Sequence, residues 1–156
     1  MSTKLRFAKI KKELTSLVNN IIRQFLNDKD YDREVAQSWC DDINAEITKR
    51  PYISGITLSG GDCMYSPVET LKLIKKLNIP HNNIWCYTGF TFEQLIKNNN
   101  QLQLLKHINV LVDGRFEYSK RDITLAFKGS SNQRIIDVKQ SLKQGEIILY
   151  EHSSKV

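Results

Sequence analysis

The stretch ISGITLSGGD, residues 53–62, decides how the rest of this sequence is interpreted. Its β-branched and aliphatic residues are bounded by turn formers, which predicts a short buried strand. Gly60 and Gly61 lack a Cβ where the backbone leaves that strand, so their carbonyl and N–H groups could approach a ligand closely. Asp62 places a carboxylate at the mouth of the same turn, where it could cap the next helix or meet a cation. By itself, such a turn favours an ordinary connection from a strand to a helix.

The composition predicts one folded domain over residues 1–156. A chain of 156 residues with 40% hydrophobic content can form a single core. The formal net charge of +6 comes from basic residues spread along the chain, without an Arg-rich run interleaved with aromatics. We therefore expect a solvated lysine surface rather than a nucleic-acid interface. The apolar runs are too short to span a bilayer and no signal-peptide pattern is recognisable, which predicts a cytoplasmic protein without a membrane partner.

The first fifty residues favour two helices. Residues 4–27 carry apolar side chains at spacings of three and four with Lys and Arg between them, which predicts a basic amphipathic helix packed on its own domain. A second helix is expected over residues 31–49, with Asp30 as its N-cap and an apolar stripe that recurs every four residues. Pro51 ends it.

Strands and helices alternate in the rest of the chain. A helix is predicted over residues 67–77 and a last strand over 146–150, while residues 135–142 fit either a helix or irregular structure. Because a strand, a helix and a strand at this spacing form a right-handed βαβ unit, we expect an α/β fold with a parallel sheet. Its parallel strands are predicted at residues 53–59, 83–88 and 109–112.

Three of the predicted strands end in polar turns that contain glycine. These turns are SGGD at 59–62, YTGFT at 87–91 and DGRF at 113–116. In a parallel α/β sheet, ligands bind across the carboxyl ends of the strands. The repetition therefore predicts one binding edge built from the three turns.

The cysteines do not form a ligand motif by their spacing. Cys40, Cys63 and Cys86 lie 23 residues apart in succession, so the sequence contains no CxxC or comparable cluster. An odd and sparse set also argues against a disulfide framework.

Four segments together resemble a known family. ITLSGGD, IWCYTGFTFEQL, LVDGRFE and GSSNQRIIDV, in this order, closely resemble the activating proteins of anaerobic ribonucleoside-triphosphate reductase, which are small radical S-adenosylmethionine (SAM) enzymes. The resemblance is strongest over residues 51–138, whereas residues 1–50 diverge and read as helical. It implies a partial (βα) barrel-like parallel sheet with outer helices. It also implies a function, the generation of a glycyl radical on the large subunit of the reductase, with a flavodoxin-like or other low-potential electron donor.

The resemblance implies a SAM site made of the three turns and of the NQR segment. In radical SAM enzymes a GGD-type turn holds the methionine amino group of SAM, and a YTG turn lines the pocket. Other roles stay open: Asp113 fits an ordinary cap as well as a ribose ligand, and Arg134 fits an ordinary ion pair. No catalytic or metal-binding residue is assigned. The residues expected to bind SAM are Ser59, Gly60, Gly61, Asp62, Tyr87, Thr88, Gly89, Asp113, Gly114, Asn132 and Arg134.

The chain departs from the family at two points. Family members carry a CxxxCxxC loop whose three thiolates hold a [4Fe–4S] cluster, and the fourth iron binds SAM. This sequence contains no such motif, and Cys63 stands where the family usually has Pro. A cluster held by the three cysteines would need three separate elements to converge, so we expect no SAM-reducing cluster on the chain as written. Two alternatives to an active activase therefore stay open: a cluster-less, inactive relative that binds only SAM or the reductase, and an N-terminally altered gene product.

Overall fold

A computed structural model describes residues 33–59 and 61–151 of the chain. The predicted helix over 4–27, the proposed N-cap Asp30 and the conformation of Gly60 lie outside these described residues. The described part contains a four-stranded sheet in the order β1-β2-β3-β4. Its strands are β1 (Ile56–Leu58), β2 (Ile84–Tyr87), β3 (Val110–Asp113) and β4 (Arg134–Asp137). Its α-helices are α1 (Arg33–Lys49), α2 (Pro67–Lys76), α3 (Phe92–Leu95), α4 (Asn99–Leu105) and α5 (Val138–Gln144).

The predicted parallel strands are confirmed. β1 pairs with β2 in parallel, with Leu58 opposite Cys86. β2 pairs with β3 in parallel, with Tyr87 opposite Val112. The carboxyl ends of β1, β2 and β3 therefore lie at the same edge of the sheet.

The fourth strand corrects the expectation of a wholly parallel sheet. β4 pairs antiparallel with β3, and Arg134 lies opposite Asp113. The segment 135–142, which fits a helix or irregular structure by sequence, is divided between this strand and α5. The predicted strand over 146–150 is wrong. This segment forms no strand and contributes one isolated bridge, between Leu149 and Ile136 on β4.

The helices begin and end where local chemistry predicts. Pro67 occupies the first turn of α2, where its missing N–H removes no helical hydrogen bond. Thr91 caps α3 through a capping box in which its side chain accepts from Gln94 N and the Gln94 side chain accepts from Thr91 N. α5 ends at Gly145 in the left-handed conformation.

The core lies between the helices and one face of the sheet. On β2, Ile84 and Cys86 are buried in the core, while Trp85 and Tyr87 on the opposite face are half-buried. Ile43 and Ile47 of α1 join the same core, as the stripe at intervals of four predicts. No helix in the described part of the chain is long and apolar enough to cross a membrane.

Candidate functional site

The three glycine-containing turns meet around one cavity at the carboxyl edge of β1, β2 and β3. Its volume is about 320 Å³, and it is open to solvent. The predicted site residues Gly61, Asp62, Tyr87, Thr88, Gly89 and Gly114 line it together with Arg115, Phe116 and Gln133. The structure thus brings six of the predicted residues together, and we call this space the edge cavity.

Asp62 joins the first two turns of the edge cavity. Its Oδ2 accepts hydrogen bonds from Gly89 N at 2.8 Å and from Thr88 Oγ1 at 2.9 Å. Its Oδ1 accepts from Met64 N at 3.0 Å, which caps the short 3-10 turn Cys63–Tyr65. The carboxylate therefore fixes the turn after β1 against the turn after β2. Gly61 has a φ of +46°, a backbone conformation that residues with a Cβ rarely adopt.

The second and third turns are joined through their backbones. Thr88 N donates to Val112 O at 3.0 Å, and Gly114 N donates to Phe90 O at 3.0 Å. Thr88 is buried, and its backbone hydrogen bond to Val112 fixes the position of the hydroxyl that donates to Asp62. These bonds make the edge cavity a preformed concavity rather than a gap between independent loops.

Asp113 and Arg134 form an ion pair and do not line the edge cavity. Arg134 Nε donates to Asp113 Oδ1 at 3.0 Å and Nη2 donates to Oδ2 at 2.5 Å. Asp113 is buried, and its Oδ2 also accepts from Phe92 N at 2.8 Å, in the first turn of α3. The structure thus gives both residues the ion-pair and capping roles that the sequence left open beside ligand binding.

Glu93 completes this ion-pair group from α3. Arg134 donates to both of its oxygens, at 3.0 and 2.8 Å. The hydrogen bond from Arg134 lowers the pKa of Glu93 from 4.5 to about 2. The side-chain hydrogen bonds to Asp113 and Glu93 raise the pKa of Arg134. The group ties α3 to the end of β3 and the start of β4.

The remaining residues of the NQR segment brace the turn after β3. Asn132 Nδ2 donates to Arg115 O at 2.8 Å, and Gln133 Nε2 donates to Gly114 O at 3.0 Å. Asn132 Oδ1 is buried and has no hydrogen-bond partner among the described residues. The structure therefore shows the predicted site residue Asn132 as a support of the turn, with one acceptor left over.

Ser59 lies apart from the edge cavity. It lines a second cavity of about 370 Å³ on the face of the sheet, beside Trp85 and Phe127. Tyr87 borders both cavities, and its hydroxyl donates to Phe127 O at 2.7 Å. Burial raises the pKa of Tyr87.

Arg115 is the residue that the sequence interpretation missed. It lines the edge cavity and also a third cavity of about 380 Å³ that contains Tyr65 and Phe90. Its side chain is exposed and makes no hydrogen bond or ion pair with the described residues. The motif DGRF carries the signal for this residue, because Arg115 directly follows the Asp-Gly turn at the end of the same strand.

Two of the three cysteines form a pair in the core, each next in sequence to a residue that lines the edge cavity. The Sγ atoms of Cys63 and Cys86 are 3.2 Å apart, and both side chains are buried. The side-chain hydrogen bond between Cys86 and Cys63, followed by burial, raises the pKa of Cys86 well above its ordinary value. Cys40 is also buried and free, on α1.

Comparison with known proteins identifies the class of this chain and its relatives. The family model described as a 4Fe-4S single cluster domain matches residues 13–136. Anaerobic ribonucleoside-triphosphate reductase-activating proteins are similar to the chain: that of Pasteurella multocida is 33% identical over 109 residues, 67% of each chain. That of Escherichia coli K12 is 39% identical over 97 residues, 60% of each chain. That of phage T4 is 36% identical over 95 residues, 58% of each chain. No solved structure matches the chain.

The chain therefore belongs, within the 4Fe-4S single cluster domain class, to the family of anaerobic ribonucleoside-triphosphate reductase-activating proteins. The recognition made from the four motifs is confirmed. The names of the relatives support an activating role and give no support to the alternative of a cluster-less relative. The matches span 58–67% of the relatives' own lengths, so the activity of those whole proteins is a proposal for this chain.

The described residues do not fit the iron–sulfur cluster that the family description implies. Such clusters are held by Cys thiolates that converge on one cubane. The chain has three cysteines, and in residues 33–59 and 61–151 no group of three His, Cys, Asp or Glu side chains is placed to hold a metal ion. No chemical step through the cluster follows from these residues.

Proposed function

We propose that this chain serves an anaerobic ribonucleoside-triphosphate reductase as its radical SAM activase and binds SAM in the edge cavity. Generation of the glycyl radical on the large reductase subunit is the reaction in which it would act. The observation that carries the proposal is the Asp62 carboxylate, which joins two turns at the mouth of a preformed cavity. The names of the relatives support the choice of reductase and of reaction.

The hydrogen bonds of Asp62 leave room for the amino group of SAM. An ionised carboxylate offers about four acceptor positions. Met64 N and Gly89 N each supply one hydrogen, and the Thr88 hydroxyl has a single hydrogen to share between the two oxygens. A position is therefore free for a cationic donor, and a charge-assisted bond to an ammonium group is stronger than a neutral one.

Arg115 supplies the opposite charge at the same cavity. Because its guanidinium has no partner among the described residues and lines the edge cavity, it can bind the SAM carboxylate with two parallel hydrogen bonds. An anion-binding group beside Asp62 suits a ligand that carries both an ammonium and a carboxylate. The proposal thus assigns to this chain the binding and orientation of SAM, and it assigns the reduction of SAM to no described residue.

Three finer expectations belong to the same proposal. We expect the sheet to curve into the partial barrel that the family resemblance implies. We expect a flavodoxin-like or other low-potential protein to be the electron donor. A cytoplasmic location is part of the proposal because all three cysteines are free thiols, and thiols persist in reducing compartments.

Calorimetric titration of the full chain with SAM tests the proposal. We expect Asp62→Asn to weaken SAM binding about tenfold or more, because a charge-assisted hydrogen bond contributes about 1.5–3 kcal/mol. The matched control is Asp137→Asn, since Asp137 also caps a helix but lies outside the edge cavity. A parent chain that binds no SAM, or equal losses in the two variants, would contradict the proposal. Binding of each variant to the large reductase subunit, measured in parallel, separates loss of SAM from loss of the partner.

A further inference from the structure

Cys63 and Cys86 are close enough to react with each other. Their Sγ atoms are 3.2 Å apart and both thiols are free. A disulfide requires about 2.0 Å between the sulfurs, so the two atoms must approach by about 1 Å. Cys63 lies in a short turn and Cys86 in a strand, and a turn can absorb a shift of this size.

The pair lies next to the bond that organises the edge cavity. Cys63 directly follows Asp62, and Cys86 precedes Thr88 by two residues. The Asp62–Thr88 hydrogen bonds and the sulfur contact therefore join the same two segments side by side. Shortening the distance between the sulfurs therefore changes the placement of Asp62 relative to Thr88.

We propose that Cys63 and Cys86 are a redox modification site at which hydrogen peroxide, or a related two-electron oxidant, forms an intramolecular disulfide. The oxidised pair draws the Asp62 turn toward β2 and changes the edge cavity.

The chemistry balances with peroxide as the named oxidant. The Cys63 sulfur attacks a peroxide oxygen, the O–O bond breaks, and a sulfenic acid and one water form. The Cys86 sulfur then attacks the Cys63 sulfur, the S–S bond forms and the S–O bond breaks. The leaving hydroxide takes the Cys86 proton and departs as the second water. Two thiols are oxidised and one peroxide is reduced.

The reduced pair is the stable form in the absence of oxidant. The hydrogen bond with Cys63 and burial raise the pKa of Cys86, whereas thiols react as thiolates. Both side chains are also buried from solvent. The attack by Cys86 is therefore slow, and we expect the disulfide to form under sustained rather than brief exposure to oxidant.

The test uses the full chain treated with hydrogen peroxide, with thiol titration and intact mass measurement under non-reducing conditions. The chain has three cysteines. We expect the titratable thiols to fall from three to one, the mass to decrease by two hydrogen atoms, and dithiothreitol to reverse both changes. Cys63→Ala and Cys86→Ala should each abolish the loss of two hydrogens. Cys40→Ala is the matched control, because Cys40 is buried but outside the pair, and it should retain that loss.

Three results would overturn the proposal: unchanged thiols in the treated parent, a gain of oxygen without the loss of hydrogens, or a disulfide that requires Cys40. Circular dichroism of each alanine variant, with Cys63→Ser as a second variant, separates a folding defect from a chemical one. The effect on the cavity rests on the proposed function, and we expect the oxidised chain to bind SAM several-fold more weakly than the reduced chain. Equal affinity of the two forms would overturn the coupling to the cavity. Failure of the reduced chain to bind SAM would instead count against the proposed function.

Discussion

Two charged residues of the edge cavity differ in what surrounds them. Asp62 is hydrogen-bonded to the turn after β2 and to its own 3-10 turn, so it determines both the shape of the cavity and the charge at its edge. Arg115 projects into the same cavity without a partner among the described residues. A substitution at Asp62 therefore alters both the structure of the cavity and the binding of the ligand, whereas a substitution at Arg115 alters ligand binding alone.

Arg115→Gln gives the sharper residue-level prediction. We expect about a tenfold loss of affinity for SAM, because the charge-assisted bonds to its carboxylate are removed. Decarboxylated SAM should bind the parent and the variant equally. Arg121→Gln is the control, since Arg121 is exposed and lies outside the edge cavity. Equal losses of affinity for SAM and for decarboxylated SAM in calorimetric titrations would show that Arg115 does not bind the SAM carboxylate.

Glu93 predicts a dependence of stability on pH. Its pKa falls from 4.5 to about 2 in the folded chain, so its ion pair with Arg134 stabilises the fold above the unfolded pKa. This contribution is lost as the pH falls from about 5 to about 2. Because half of the Glu93 side chain is exposed, water screens the pair and we expect less than about 1 kcal/mol.

Urea unfolding of the parent and of Glu93→Gln measures that contribution. The difference between the two free energies of unfolding should shrink as the pH is lowered through this range. Glu146→Gln is the control, because Glu146 is exposed and forms no ion pair with a described residue. A difference that stays constant with pH would contradict the assignment.

At the scale of single elements, β1 depends on the absence of a side chain just before it begins. A Cβ placed on Gly55 would lie 2.3 Å from the backbone oxygen of Asn83. The same Asn83 oxygen accepts the hydrogen bond from Ile56 N that starts the pairing of β1 with β2. The glycine therefore permits the close approach of two backbones.

Gly55→Ala should destabilise the chain by about 1–3 kcal/mol, the usual cost of overpacking a site that cannot move freely. Ser54→Ala, one residue earlier, is the control, since Asn83 bonds only the backbone oxygen of Ser54. Chemical denaturation of the two variants and the parent tests this. Equal stabilities of Gly55→Ala and the parent would show that β1 can shift away from β2 without cost.

The elements also show how far sequence reasoning reaches. The runs ending in SGGD, YTGFT and DGRF are apolar, short and closed by glycine, and they predicted β1, β2 and β3 and their shared edge. β4 was missed because RIID follows a polar turn and shows no long alternation. Its antiparallel pairing depends on contacts with residues 110–113, which lie 21 to 27 positions away and which local patterns do not contain.

At the scale of the whole molecule, the long-range contacts that local sequence patterns do not contain also determine the site. Local motifs predicted the turns that meet at the edge cavity. They could not separate ligands from supports, because a carboxylate such as Asp113 suits a ribose hydroxyl and an arginine equally well, and its partner Arg134 lies 21 residues away. The disagreement between the 4Fe-4S description of the family and this chain also becomes visible only at this scale, because no group of three metal-binding side chains converges among the described residues.

Binding of SAM in the edge cavity can be observed residue by residue by mapping backbone amide chemical shifts during a titration of the full chain with SAM. We predict the largest changes at four residues that line that cavity, Gly61, Thr88, Gly89 and Gly114. Saturable changes confined to the cavity beside Trp85 and Phe127, or no changes at all with excess SAM, would contradict it.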